Sequence, residues 1–269
     1  MKKYLFLIPA LWLFWACEEE ATPQTIDELT VEAFLYAGQT LDSVKFWKII
    51  PFDATEAPAY PNDLVPVVVD ENGQAYPLQL MGEEGVYGNS DLLIEAEKTY
   101  TIEVIYHDKT ISASTYVPGQ PLRLELSDST IYRKQINDFT DIQDMQIPDP
   151  IEITWQAEAG AYYFVQVKNI ENDPDAVNAL FEEEGIELPD FLTEPSSNSY
   201  YTINVFREIT HFGTYEVRVY RVNPEYVALY EDNSSGAGAL NEIRTNVQNG
   251  YGIFTGVNST RIYFEVKKL

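Results

Sequence analysis

Alternation of apolar and polar positions begins at Leu29 and organises most of the chain beyond it. The stretches LTVEAFLYAG and SVKFWKIIPF each repeat with a period of two, and Gly38-Gln39 lies between them, so the pair predicts a β-hairpin. Residues 53–63 (DATEAPAYPND) contain Pro58 and Pro61 and read as an exposed loop. VPVVVDENGQAYPLQL then predicts a strand, a turn from Asp70 to Gly73 and a second strand, with Gly82 and Gly85 marking a further loop. KTYTIEVIY and KTISASTYV flank His107-Asp108 as another hairpin. This density of short strands over residues 26–117 predicts a β-sandwich of the Ig-like or transthyretin-like kind. Val117-Pro118-Gly119-Gln120-Pro121 cannot continue a strand interior, so residues 118–121 are assigned as a linker.

Strand patterning resumes with LRLELSDSTI, and residues 122–269 predict a second sandwich. IEITWQA, a turn at Gly160 and YYFVQVKNI resemble the B and C strands of a fibronectin type III module, whose tryptophan sits in the core. HFGTYEVRVYRVN resembles the F strand of that module, with Tyr215 at the tyrosine-corner position. Two helical insertions interrupt the pattern. The first is expected near 173–187, opening at Asp173-Pro174 with Val177, Leu180 and Phe181 on one face. The second is expected near 224–231, with Pro224 at the first helical position and Tyr226, Leu229 and Tyr230 spaced for one face. GYGIFTGVNSTRIYFEV predicts the last strand of the second sandwich. The fold class is therefore mainly β, two tandem β-sandwich domains, the second with short helical insertions.

The N-terminus has a different pattern. Lys2 and Lys3 precede an apolar run from Leu5 to Ala16, shorter than the roughly 20 residues a membrane-spanning helix needs, so residues 1–16 read as a signal peptide. Cys17 is the only cysteine in the chain and has no disulfide partner within it. It looks like the cysteine of a lipobox, although Phe14 and Trp15 are bulkier than usual lipobox residues. Lipidation there would anchor the chain through acyl groups, each buried methylene contributing about 0.8 kcal/mol. Residues 17–25 form an acidic tether, and Glu18, Glu19 and Glu20 resemble the export tag that sends lipoproteins of Bacteroidetes to the outer face of the outer membrane.

Charge narrows the partners. The chain carries 43 Asp and Glu against 17 Lys and Arg, a formal net charge of −26, so phosphate backbones are repelled and nucleic acid is excluded as a partner. Aromatic and β-branched residues are ample for packed cores.

The order of parts is similar to a large Bacteroidetes family of outer-membrane lipoproteins of unknown function. The resemblance rests on the lipobox, the hairpin at Val67-Val68-Val69-Asp70-Glu71-Asn72-Gly73, and the strand Lys98-Thr99-Tyr100-Thr101-Ile102-Glu103-Val104. It extends to the Tyr215-Glu216-Val217-Arg218-Val219 strand and, most specifically, to Asn249-Gly250-Tyr251-Gly252-Ile253-Phe254. It implies genes placed beside TonB-dependent outer-membrane receptors and supplies no catalytic residues.

No constellation in the sequence argues for catalysis. His107 and His211 are too few for a zinc site once Cys17 is assigned to lipid, and no serine sits in a nucleophile-elbow motif. Asp70, Asn72 and Gln74 begin like an EF-hand loop, but Ala75 and Met81 stand where it needs glycine and glutamate. The acidic loop through Asp138, Asp141, Asp144 and Asp149 stays open as a cation candidate, though no metal or cofactor is assigned. Asp42-Ser43-Val44 and Asp128-Ser129-Thr130 resemble a short O-glycosylation motif. Tyr200, Tyr201, Tyr226 and Tyr230 are the candidate aromatics for a glycan or peptide ligand, beside the plainer role of packing a β-sandwich. The expected function is a non-catalytic surface lipoprotein, an accessory of a TonB-dependent uptake system that captures or presents cargo. The alternative is a structural or adhesive surface protein.

Overall fold

The computed structural model describes residues 28–49, 59–138, 140–141, 149–180, 191–231 and 245–269. Period-two burial runs through it. The strand β1 (Leu29–Tyr36) buries Leu29, Val31, Ala33 and Leu35 and turns Phe34 and Tyr36 to the other face. It forms the expected hairpin with β2 (Thr40–Lys48). β3 (Val67–Asp70) and β4 (Ala75–Pro77) make the second hairpin, where the Asp70 carboxylate accepts from the backbone N–H groups of Asn72 and Gln74 at 2.9 Å each. Those bonds hold the Asp70 carboxyl below its ordinary range, the Gln74 bond foremost. β5 (Gln79–Leu80) and β6 (Val86–Leu93) come next. β7 (Thr99–Tyr106) and β8 (Lys109–Tyr116) are joined by His107 and Asp108, both with positive φ (46° and 60°), the geometry of a two-residue hairpin turn.

The second half holds β9 (Leu122–Leu126), β10 (Thr130–Arg133), β11 (Ile151–Gln156), β12 (Tyr162–Asn169), β13 (Phe191–Leu192) and β14 (Tyr200–Ile203). The short helix α1 (Val205–Glu208), β15 (Gly213–Val222), α2 (Pro224–Glu231) and β16 (Tyr251–Lys268) complete it. β11 lies in a three-stranded sheet, order β14-β11-β9, and β12 in the facing sheet, so these consecutive strands cross the sandwich. Trp155 on β11 is buried with its ring 5.7 Å from that of Tyr163. The Tyr215 hydroxyl donates to the His211 carbonyl at 3.1 Å and accepts from the His211 N–H at 3.0 Å, closing the corner before β15. Tyr215 is fully buried, so Tyr215→Phe strands both backbone groups. It is expected to cost about 1–3 kcal/mol, read as a lower urea midpoint at unchanged slope.

Two expectations change. The segment beginning at Asp173-Pro174 is not helical through Asn178: Ala176 bridges His211, Asn178 bridges Ile136, and Val177 is buried in the second core. Helix starts only at Ala179, and residues 181–187 lie outside the described residues. Backbone bonds to Thr210 and Ile136 outcompete the helix start that Pro174 suggests locally. The second change concerns β16. At 18 residues it is about three times an ordinary strand, spanning roughly 60 Å. Its first part, Tyr251 to Val257, pairs in parallel with β1 of the first sandwich, and Val257 to Val266 pairs antiparallel with β15 of the second. Its end pairs in parallel with β10. Residues 251–257 therefore complete the first sandwich, where the sequence pattern assigns them to the second alone.

The result is one nine-stranded sheet running β13-β12-β15-β16-β1-β2-β6-β5, with β10 also on β16. The sheet β4-β3-β7-β8 covers it on one side of the seam and β14-β11-β9 on the other. Phe254 and Val247, from the C-terminal segment, are buried in the core of the first sandwich.

Candidate functional site

The seam is built by the Asn249–Phe254 segment and what it touches. Asn249 has φ 57°, and its side-chain amide donates to the Thr110 carbonyl at 2.8 Å. Gln248 exchanges backbone hydrogen bonds with Ser112 on β8 (2.7 and 3.2 Å). Gly256 lies so close to β8 that a β-carbon there would sit 2.5 Å from the Tyr116 carbonyl oxygen. Within the motif itself, a β-carbon on Gly250 would sit 2.9 Å from the Leu29 carbonyl oxygen and 3.1 Å from Ile111 Cγ2, so this glycine lets the chain entering β16 run against β1 and β8.

A polar clamp locks the same place. Glu225, in the first turn of α2, accepts at one carboxylate oxygen from Thr115 Oγ1 (2.9 Å), Thr255 Oγ1 (3.1 Å) and Asn223 Nδ2 (3.2 Å). Asn223 also donates to the Tyr116 carbonyl at 2.7 Å. Strand β8, strand β16 and helix α2 thus converge on one acceptor. Glu225→Ala is expected to lower stability by about 1–3 kcal/mol and to speed amide exchange in residues 224–231 ahead of the rest of the chain.

An aromatic belt crosses the outer face of the continuous sheet at this seam. Phe164 of β12 pairs with Tyr220 of β15, which pairs with Ser259 of β16, while Tyr36 of β1 pairs with Val257. Paired positions share a face, so these side chains form a row. The Phe164 and Tyr220 rings stack at 4.4 Å, and Tyr226 of α2 stacks on Phe164 at 5.5 Å and meets Phe34 edge-on at 6.0 Å. The Tyr226 and Tyr230 hydroxyls are 3.1 Å apart. Burial, foremost, and the neighbouring tyrosines push the Tyr226 hydroxyl pKa well up, so it stays protonated.

Beside the belt lies a cleft of ≈ 180 Å³ lined by both sandwiches. Tyr36 comes from the end of β1 and Ala37 and Gln39 from the β1–β2 turn; Arg218 and Tyr220 come from β15; Val257, Asn258 and Ser259 come from β16. Its walls are held in place. Tyr220 donates to Gln166 Oε1 at 3.0 Å, and Asn258 donates to the Pro118 carbonyl at 2.8 Å while accepting from the Ser259 N–H. Arg218 binds Glu216 through Nε (2.9 Å) and Nη2 (2.7 Å). The turn is pinned by the Ala37 N–H to the Val257 carbonyl and the Gly38 N–H to the Ile94 carbonyl. Tyr36 remains 39% exposed, and its hydroxyl pKa is raised, by partial burial first and by Tyr220 second.

The four candidate tyrosines fall into two groups. Tyr226 and Tyr230 belong to the belt at the seam, with Tyr226 mostly spent on packing. Tyr200 and Tyr201 lie on β14; Tyr200 is exposed, while Tyr201 packs on the second core and donates to Glu208 Oε1 at 2.7 Å. Glu208 is buried, and burial, the largest influence, raises its carboxyl pKa despite that bond. Cys17, Glu18, Glu19 and Glu20 lie outside the described residues. His211 serves the tyrosine corner through its backbone. Asp138 accepts from Thr140 and Asp141, and Asp141 pairs with Lys134 at 2.6 Å, so both carboxylates are engaged locally. Among the described residues, no group of three or more His, Cys, Asp or Glu is placed to hold a metal ion. Sequence patterning does not single out Tyr36, Gln39, Arg218 and Tyr220. Large outward residues on strands whose other face is core are the available signal, but nothing local places β1 beside β16.

No curated protein matches this chain. Among solved structures, a chain of a cytokine receptor complex is 14% identical over 73% of this chain and 91% of its own, with a TM-score of 0.27. A two-domain fibronectin type III segment of chicken tenascin is 12% identical over 73% and 90%, with a TM-score of 0.24. Residues 18–262 match the family model described as a domain of unknown function, DUF4249, and the chain belongs to that family.

Proposed function

We propose that this chain is a non-catalytic binding module, held on the bacterial outer membrane by acyl chains on Cys17 and carried to its outer face by Glu18, Glu19 and Glu20. It works beside a TonB-dependent receptor, capturing or presenting that receptor's cargo. The observation that carries this reading is the cleft at the seam: two sandwiches that share strand β16, with a wall of aromatic, amide and hydroxyl side chains drawn from both. A body whose two sandwiches share a strand suits presentation, because less conformational freedom is lost on docking than with two freely hinged domains.

Two measurements test the proposal. Cys17→Ala is expected to abolish incorporation of labelled palmitate and to release the protein from the membrane fraction; label retained in the variant would remove the anchor from the reading. Affinity capture of the lipidated wild type from mild-detergent extracts is expected to recover a TonB-dependent receptor in stoichiometric amount. An eluate without one would discard the accessory role and favour a structural or adhesive protein.

A further inference from the structure

We propose that the cleft at the seam binds a neutral pyranoside ring, with Tyr36 as its stacking platform. The inference rests on the binding role proposed for the chain and names the class of cargo.

The lining chooses among ligand classes. A sugar hydroxyl both donates and accepts, and so do the groups at the rim: the Gln39 amide, the Ser259 hydroxyl and the Tyr36 hydroxyl. A carboxylate or phosphate offers only acceptors and needs an uncompensated cation. Among the described residues the one cation lining the cleft, Arg218, is bound through two of its nitrogens by Glu216, which also accepts from the Tyr263 hydroxyl (3.2 Å) and contacts Arg261 (3.4 Å). The formal net charge of −26 disfavours an anion further.

The aromatic geometry points the same way. The axial C–H groups of a pyranose carry partial positive charge and pack on the electron-rich face of an aromatic ring. Tyr220 has one face stacked on Phe164 and its hydroxyl committed to Gln166, so it serves as a fixed wall. Tyr36, at the end of β1, keeps 39% of its surface exposed at the cleft. Size is compatible as well: an open cleft of ≈ 180 Å³ leaves room for a small ring to lie against Tyr36.

The test uses the whole soluble chain lacking its signal peptide and Cys17. Saturation-transfer NMR is run with four neutral probes: methyl β-glucopyranoside, methyl β-galactopyranoside, methyl α-mannopyranoside and methyl N-acetyl-β-glucosaminide. Glucuronate and an acetylated, amidated Thr-Val-Thr-Val peptide are the comparators. At least one neutral pyranoside is expected to receive saturation at its ring protons. Tyr36→Ala and Gln39→Ala are each expected to weaken its binding about tenfold, while Tyr200→Ala, at an exposed tyrosine elsewhere, leaves it unchanged. Thermal melts establish that the variants are folded. The inference is overturned if none of the four sugars shows Tyr36-dependent binding, or if glucuronate or the peptide binds in their place. Receptor capture without pyranoside binding would remove this inference alone, and pyranoside binding without receptor capture would remove only the accessory role.

Discussion

Gly252→Ala is expected to destabilise the protein by about 3–5 kcal/mol and to lower its melting temperature by roughly 10 °C. Two costs combine. Gly252 has φ 106°, a conformation that side chains resist by about 1–3 kcal/mol. A β-carbon would also collide with the carbonyl oxygen of Val31, its partner in the parallel β1–β16 ladder, and approach Thr30 Cγ2 at 3.0 Å. That carbonyl is backbone within a buried strand and cannot swing aside as a flexible side chain would. Gly73→Ala supplies the control: its φ is 81°, but nothing lies within 4 Å of the added carbon. It should lose about 1 kcal/mol, from backbone strain alone. Equal losses for the two variants in urea unfolding would refute the close approach of β16 to β1.

Residues 26–121, expressed alone, are expected not to fold cooperatively, even though they contain every strand of the first sandwich except the one supplied by β16. Without residues 245–257, β1 loses a ladder of seven paired positions, and the first core loses Phe254 and Val247. Removing a buried Phe side chain costs about 3–5 kcal/mol, and unmade backbone bonds add about 1 kcal/mol each. Together these consume most of the roughly 5–15 kcal/mol that stabilises an ordinary domain. The isolated segment should show little amide dispersion and bind hydrophobic dyes. Fusing residues 245–257 to its end should restore a sharp melt. The full chain should unfold in one calorimetric transition, with calorimetric and van't Hoff enthalpies equal, because β16 cannot leave one sandwich without uncovering the other. A well-folded, cooperatively melting 26–121 fragment would contradict the shared strand.

Much of the local structure was legible because short-range chemistry decides it. The His107-Asp108 and Asp70–Gly73 hairpins arise from residues that tolerate positive φ or bond their own turn. Helix α2 occupies Pro224–Glu231, the span marked out by Pro224 and the spacing of Tyr226, Leu229 and Tyr230. The Tyr215 corner could be read from a single tyrosine at its spacing from a core valine. The segment after Asp173-Pro174 misled because its helical spacing was real, but Val177 gains more by bridging into the second core than by turning a helix.

What the sequence by itself determined is the set of parts: mainly β, two sandwiches, their turns, the short second helix, and a strongly acidic charge. Only the tertiary structure decided how the parts join. Alternation shows which face of a strand is buried but not which strand lies beside it. The partners here, Thr30 to Tyr36 with Tyr251 to Val257, stand more than two hundred residues apart. The same long strand that welds the sandwiches also brings Tyr36 and Gln39 against Tyr220 and Ser259. The cleft therefore exists only in the folded chain, because its walls come from segments that no local pattern connects.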